Sequence, residues 1–436
     1  MSEGDFETAR QRFLAGNAAF AQGRYPEAEA EFLASLQALP GRASTLSNLG
    51  AVRLRLGRPD EALEPLQQAL AVQPGDAQAW HHLGLALSAT GRDAQALEAY
   101  DQALAHGADE ALVHYRRGLA LAALERMEEA ATAWEHALAR DERCVAAWVD
   151  LGTLLRDRGE HGRARECLER ARALGADDPV LHFQLAALAA PAAPAESQPV
   201  PPAPPRLYVE RLFDRYAQDF DQHVVDGLGY DTPQRISLGL ARRHPRRFTA
   251  ALDLGCGTGL CAQALRGQVD RIDGVDLSAA MLEKARALGR YDRLVHADLV
   301  DHLRATERRY ALVVAADVCI YVGALEALFE GVRRVLEPGG VFCCSVEVWD
   351  EASAAGGDAT PGYVLRPTLR YAHTEAYLHA LARRNGMVVS EAERHPLRQD
   401  LDGVITGLCM WMQRTDGATD AVTDGATDAP PQDGAG

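Results

Sequence analysis

Small and large apolar positions recur along the first 178 residues at a constant step. Gly16, Gly50, Gly84, Gly118 and Gly152 stand 34 residues apart without one insertion. Ala28, Ala62, Ala96, Ala130 and Ala164 keep the interval, as do Ser35, Ala69, Ala103, Ala137 and Ala171. A bulky residue holds a fixed place among them: Phe32, Leu66, Tyr100, Trp134 and Leu168. Pro40 and Pro74 close the first two units. The period predicts five stacked helix pairs over about residues 9–178. Small residues would let the paired helices approach, and the bulky residue would plug the gap between neighbouring units. "PVLHFQLAALAA" (179–190) reads as a capping helix, ending a first domain over 1–190.

From residue 207 the pattern changes to short apolar runs alternating with amphipathic stretches. "FTAALDL", "RIDGVD", "RLVHAD", "YALVVAAD" and "GGVFCCSVEV" predict buried strands. "AAMLEKARAL" and "ALEALFEGVRRVL" predict helices between them. Such alternation implies a doubly wound parallel sheet with its ligand at the carboxyl ends of the strands. "PAAPAESQPVPPAPPR" (191–206) is too rich in proline for helix or sheet, and predicts an extended linker. The last residues, 415–436, are low-complexity and acidic, and predict a disordered tail after a second domain over 207–414.

The 34-residue period resembles the tetratricopeptide repeat family. That resemblance implies a solenoid whose groove holds a protein or peptide. One position of the first helix reads Asn48, His82, Arg116 and Asp150 down repeats two to five. Those side chains could bond an extended backbone, or be ordinary polar surface.

The stretch "ALDLGCGTGL" (251–260) places three glycines directly behind the first strand. A dinucleotide site has the spacing G-x-G-x-x-G and offers a helix N-terminus to a pyrophosphate. Here Gly255, Gly257 and Gly259 are spaced G-x-G-x-G, and Asp253 would repel a diphosphate. A ligand with a sulfonium and an ammonium would welcome that carboxylate. Asp276, ending the second strand, is placed to accept ribose hydroxyls from either cofactor. "ALDLGCGTG…VDLS…HADL…LEPGG" resembles the class I S-adenosylmethionine-dependent methyltransferases over about residues 207–414. The resemblance implies a seven-stranded sheet ending in a hairpin of "GMVVSEAE" and "GVITGLCMWMQR", and S-adenosyl-L-methionine as cofactor. Carried over, Asp253, Gly255 and Gly257 would line the methionine end, with Gly259 in the same turn. Asp276 would meet the ribose, and Asp298 with Leu299 the adenine. "LFDRYAQDFDQHVVDGLGY" resembles a lid segment, with Tyr216 and Phe220 on one helical side. The whole arrangement resembles bacterial predicted methyltransferases that carry tetratricopeptide repeats.

Methyl transfer is an in-line displacement that needs alignment, exclusion of water and, for a high-pKa acceptor, a base. The end of the fourth strand offers Asp317 and Tyr321, and Glu347 and His373 are further possibilities. Cys256, Cys343 and Cys344 are expected to be packing residues. The segment 370–386 predicts a helix beside the acceptor mouth. The Asn/Asp-Pro-Pro-aromatic loop of nucleobase-amine methyltransferases is missing, and no acidic cluster suggests a metal.

Composition narrows the partners. The net charge is −17, of which residues 1–206 carry −9 and residues 207–414 carry −3. No segment has the basic footprint of phosphate-backbone binding, so nucleic acid is not expected. No apolar run reaches the roughly 18 residues of a membrane span. The start, "MSEGDFETARQRF", lacks the apolar core of a signal peptide. Eight cysteines without a CxxC pair fit reduced thiols and a cytoplasmic location. Three functions stay open: a methyltransferase whose repeats recruit the acceptor or its carrier, a methyltransferase of a free metabolite with repeats for assembly, and a non-catalytic cofactor-binding scaffold.

Overall fold

A computed structural model describes residues 3–189, 200–217, 220, 230–350, 362–400 and 403–415. The chain divides into two units, Met1–Leu188 and Ala189–Gly436. The acidic tail from 416 onward and most of the linker lie outside the described residues.

The first unit is a run of helix pairs: α1 (Glu3–Ala21) with α2 (Tyr25–Ala38), α3 (Ala43–Arg55) with α4 (Pro59–Val72), and α5 (Ala77–Ala89) with α6 (Asp93–Ala105). Then come α7 (Ala111–Ala123) with α8 (Met127–Arg140), α9 (Val145–Asp157) with α10 (His161–Ala173), and the final α11 (Pro179–Ala187). Each periodic glycine lies on the first helix of a pair and faces the bulky residue of the second. A Cβ on Gly16, Gly50, Gly84 or Gly118 would lie 2.6, 2.4, 2.5 or 2.3 Å from Phe32, Leu66, Tyr100 or Trp134. On Gly152 it would lie 2.8 Å from Leu168. The bulky residue therefore closes on the glycine of its own pair, a correction to its expected place between units. The missing Cβ is what lets a ring or isobutyl group seat there. The periodic alanines at 28, 62, 96, 130 and 164 are fully buried, so the period is a packing period.

The second unit is built on one sheet. β1 (Ala251–Leu254), β2 (Ile272–Asp276), β3 (Arg293–His296), β4 (Tyr310–Ala315) and β5 (Leu336–Val348) run parallel in the order β3-β2-β1-β4-β5. β1 and β4 are buried along almost their whole length, as a strand covered on both faces must be. Ahead of the sheet come α12 (Arg206–Tyr216) and α13 (Thr232–Arg243). α14 (Leu260–Ala264), α15 (Ala279–Leu288), α16 (Leu299–Ala305) and α17 (Glu326–Val335) follow β1 to β4 in turn.

Two hairpins complete the sheet. β6 (Tyr363–Leu365) and β7 (Tyr371–His373) form a short one, with β7 parallel to the far end of β5 through Glu347 and Val348. α18 (Glu375–Arg384) then leads to the long hairpin of β8 (Met387–Asp400) and β9 (Gly403–Arg414), β9 lying antiparallel on β5. Among the described residues nine strands stand where seven were expected. The expected helix over 370–386 is corrected too: its first residues are β7, and the helix begins only after Thr374, whose hydroxyl caps Tyr377 N at 3.2 Å. The end of the proline-rich segment packs on this unit. Pro202 O accepts the amides of Gly323 and Ala324 at 2.9 Å, and Tyr371 donates to Pro201 O at 2.8 Å.

Candidate functional site

A cavity of about 430 Å³ opens at the carboxyl ends of β1, β2 and β4, where a doubly wound sheet places its ligand. The glycine turn forms one wall. Gly255, Gly257 and Gly259 have φ of 65°, 52° and 103°, all in the left-handed region that favours glycine. A Cβ on Gly255 would strike Val318 at 2.3 Å, whereas on Gly257 it would meet nothing within 4 Å. Gly255 and Gly257 line the cavity. Gly259 does not: its missing Cβ makes room for Leu288, 2.7 Å away.

Asp276 faces the turn from the end of β2. Its Oδ2 accepts Gly257 N and its Oδ1 accepts Ser278 N, both at 2.8 Å. Burial raises its pKa against the pull of those amides. Two bonds leave acceptor sites on both oxygens, enough for a pair of neighbouring hydroxyls. Asp298 caps α16, its Oδ1 accepting Val300 N at 2.9 Å and Asp301 N at 3.1 Å. With Leu299 it forms a further wall.

Asp253 is placed differently from the expectation. It is 1% exposed and is not a wall residue; Tyr291 donates to its Oδ2 at 2.7 Å. Burial, with the charge of Asp276 nearby, pushes its pKa up to about 7 against that hydrogen bond. Side chains alternate between the two faces of a strand, and Asp253 falls on the face that Tyr291 covers.

The other end of the cavity is aromatic. Tyr216 and Phe220 meet edge-on at 6.0 Å, and Phe213 meets Tyr321 edge-on at 5.2 Å. Asp214, beside them on α12, accepts Ser278 Oγ at 2.6 Å, fixing this helix to the start of α15. Asp317 lies on the wall with φ 54°, rare for a residue with a side chain. Ser345 Oγ accepts its amide at 2.7 Å and donates to its Oδ1 at 2.5 Å, a local ring that holds the conformation. Tyr321 also lines the cavity, from a short 3-10 turn.

Glu347 and His373 are fully buried and are not wall residues. Burial lowers the His373 pKa to about 4, and its Nε2 donates to the carbonyls of Val322 and Gly323, each at 3.0 Å. Cys256 touches the cavity, but burial raises its thiol well above the ordinary range, as it does for Cys343. For Cys344 the contact with Cys319 acts first and burial adds to it. Among the wall residues that the sequence did not single out are Phe213 and Tyr230, inside the lid segment, and Arg370, at the head of the segment expected beside the acceptor mouth. Phe213 lies one turn before Tyr216 and shares its face, a signal that was there to use. Tyr230 and Arg370 lie in segments expected near the site, but nothing in the sequence marked either as an individual wall residue.

In the first unit, Asn48 and Asp150 already have neighbours. Asn48 Nδ2 donates to Asn17 Oδ1 at 2.7 Å, and Tyr115 donates to Asp150 Oδ2 at 2.9 Å. His82 is half-buried, and burial lowers its pKa to about 4, so it stands neutral against His81. Arg116 alone of the row is exposed.

The parallel sheet, the glycine turn and the carboxylate opposite it have the arrangement that the resemblance to class I methyltransferases implies. Residues 251–340 match the model of a methyltransferase domain. Residues 5–75, 43–107, 83–137 and 115–179 match models of the tetratricopeptide repeat. The chain therefore joins segments that match the tetratricopeptide repeat to a segment that matches a methyltransferase domain. Methyltransferase-like protein 27 of Homo sapiens is 36% identical over 142 residues, 30% of this chain and 54% of that protein. Malonyl-[acyl-carrier protein] O-methyltransferase of Enterobacter lignolyticus is 30% identical, over 31% of this chain and 51% of its own length. The dTDP-3-amino-3,6-dideoxy-alpha-D-glucopyranose N,N-dimethyltransferase of Streptomyces fradiae is 30% identical, over 34% and 56%. The chain spans about half the length of the curated relatives it matches.

Proposed function

We propose that this chain is an S-adenosylmethionine-dependent methyltransferase whose repeats recruit a protein, a peptide or a carrier that bears the methyl acceptor. The observation that carries the reading is the Asp276–Gly257 clasp at one end of a cavity whose other end reaches Asp317 and Tyr321. The residues fit the cofactor: Gly257 leaves open the space a side chain would fill, and Asp276 keeps free acceptor sites. S-adenosylmethionine, when bound, supplies a methyl carbon already activated by its sulfonium. The chain's own residues do the rest. Asp276 binds the ribose hydroxyls, Asp298 and Leu299 flank the adenine, and Gly255 and Gly257 let the ligand approach the backbone. Phe213, Tyr216 and Phe220 exclude water, which strengthens every charge interaction inside. Asp317, with one oxygen held by Ser345, takes the proton of an acceptor that must lose one. Tyr321 lies beside it to orient that acceptor. Asp253 acts beneath the turn, holding Tyr291 in place.

A relative that acts on a malonyl group borne by a carrier protein supports an acceptor that arrives on a larger partner. A second reading, a free metabolite with repeats used for assembly, is favoured by the groove row itself, since Asn48 and Asp150 are engaged by Asn17 and Tyr115. The test is transfer of labelled methyl from S-adenosylmethionine into fractionated cell extract. Full-length protein is compared with residues 200–436, which retain the segment packed on Gly323 and Tyr371. Recruitment predicts a macromolecular labelled product and a steep fall for the fragment at limiting acceptor, because tethering supplies roughly millimolar effective concentration. A small product made equally by both forms supports the second reading, and no label in any fraction contradicts both.

A further inference from the structure

The cavity's acceptor end holds one cation that the methyltransferase chemistry does not use. Arg370 stands half-buried on the wall, delivered by the short hairpin that extends the sheet beyond its expected strands. The turn between β6 and β7 is tightly held. Arg366 N donates to Arg370 O and Leu369 N to Arg366 O, both at 2.9 Å. Leu369, 2% exposed, takes the left-handed φ of 61° that leucine rarely adopts. The neighbouring Arg366 is committed elsewhere, donating to Val348 O at 2.9 Å and lying 3.9 Å from Glu347. Arg370 meets Tyr321: its guanidinium lies over that ring at 5.9 Å and donates to the phenol oxygen, and among the described residues no carboxylate pairs with it within 4.0 Å. Burial opposes its charge, while Tyr321, Glu347 and Asp317 act to keep it.

A guanidinium set in an aromatic and aliphatic wall of Phe213, Ile320, Tyr321 and Val322 is a poor way to stabilise a fold. It is a good way to orient an anion, because its planar fork matches a carboxylate in two parallel bonds. We propose that Arg370 anchors the methyl acceptor, and that this acceptor carries a carboxylate on an apolar body. A phosphate dianion fits less well, since Arg370 and the exposed Arg206 share the cavity with the carboxylates of Asp276, Asp298 and Asp317. The proposal rests on the methyltransferase reading for the word acceptor, but the anion site itself can be measured without turnover.

The experiment is calorimetric titration of the full-length protein, saturated with S-adenosylhomocysteine, with hexanoate and phenylacetate. Hexanamide and phenylacetamide serve as neutral controls, and hexyl phosphate as the competing anion. The carboxylates are expected to bind at least about tenfold more tightly than the amides. Arg370→Gln should abolish that preference and Arg370→Lys should keep part of it, both with S-adenosylhomocysteine affinity unchanged. Carboxylates no tighter than amides, hexyl phosphate tighter than hexanoate, or a preference that survives Arg370→Gln would each overturn the proposal. If the glutamine variant fails to fold, the wild-type preference and its partial retention in Arg370→Lys still decide it. Failure of S-adenosylhomocysteine to bind would instead remove the methyltransferase reading, and the same titrations without it would still judge the anion site.

Discussion

Two aspartates in the glycine-turn region illustrate how much depends on the direction of one side chain. Asp276 ends its strand and turns its carboxylate into the cavity, where two amides fix it. Asp253, inside the preceding strand, points under the turn and meets Tyr291 instead. Its carboxyl titrates near 7 in the fold and near 3.8 when unperturbed, so the folded state holds the proton longer than the unfolded chain does. The stability this contributes is complete below the ordinary aspartate range and is lost as pH rises toward about 7. Asp253→Asn keeps an acceptor for Tyr291 but removes the titration. Thermal unfolding without cofactor should show the variant gaining on the wild type between about pH 4 and pH 7, by up to about 4 kcal/mol. Parallel curves across that range would mean the carboxyl is ionised at little cost. The position of both residues was legible in "ALDL" and "GVDLS"; the face to which Asp253 turns was not, because Tyr291 comes from a distant part of the chain. Arg370 was legible only as the head of a segment expected beside the acceptor mouth, with nothing to mark the arginine itself.

At the scale of elements, the repeats were legible because one packing contact is repeated in register. The glycine and the bulky residue sixteen positions on are a single lock. Gly118→Ala would put a Cβ 2.3 Å from Trp134 Nε1 and should destabilise the array by about 1–3 kcal/mol. Gly162→Ala, off that register and with nothing within 4 Å, should be neutral or stabilising by up to about 1 kcal/mol. Urea unfolding followed by circular dichroism separates the two, and equal effects would deny the glycine its packing role. The parallel strands were legible from their apolar runs, and the long terminal hairpin only through the resemblance. The hairpin of β6 and β7 was not, since three-residue strands carry no periodicity to read. The segment headed by Arg370 was expected beside the acceptor mouth, but as a helix, so the error at the level of elements left the arginine itself unmarked.

The molecule as a whole pairs an array that owes its order to packing with a sheet unit whose cavity is walled by two left-handed glycines and a few strand-end carboxylates. The division was legible from the change in hydrophobic period. The proline-rich segment carries a finer lesson: its last residues bond to Gly323, Ala324 and Tyr371 and line the cavity at Ala203 and Pro204. Composition predicted an extended chain there, and composition has no way to show what such a chain lies on. We propose above all that this cavity takes S-adenosylmethionine through Asp276 and is not a dinucleotide site. Calorimetric titration of the full-length protein with S-adenosylhomocysteine and with NAD tests it most directly, repeated on Asp276→Ala. Binding of S-adenosylhomocysteine alone is predicted, weakened by about 1.5–3 kcal/mol in the variant as charge-assisted hydrogen bonds to the ribose are lost. Tight NAD binding, or an affinity for S-adenosylhomocysteine indifferent to Asp276→Ala, would contradict it.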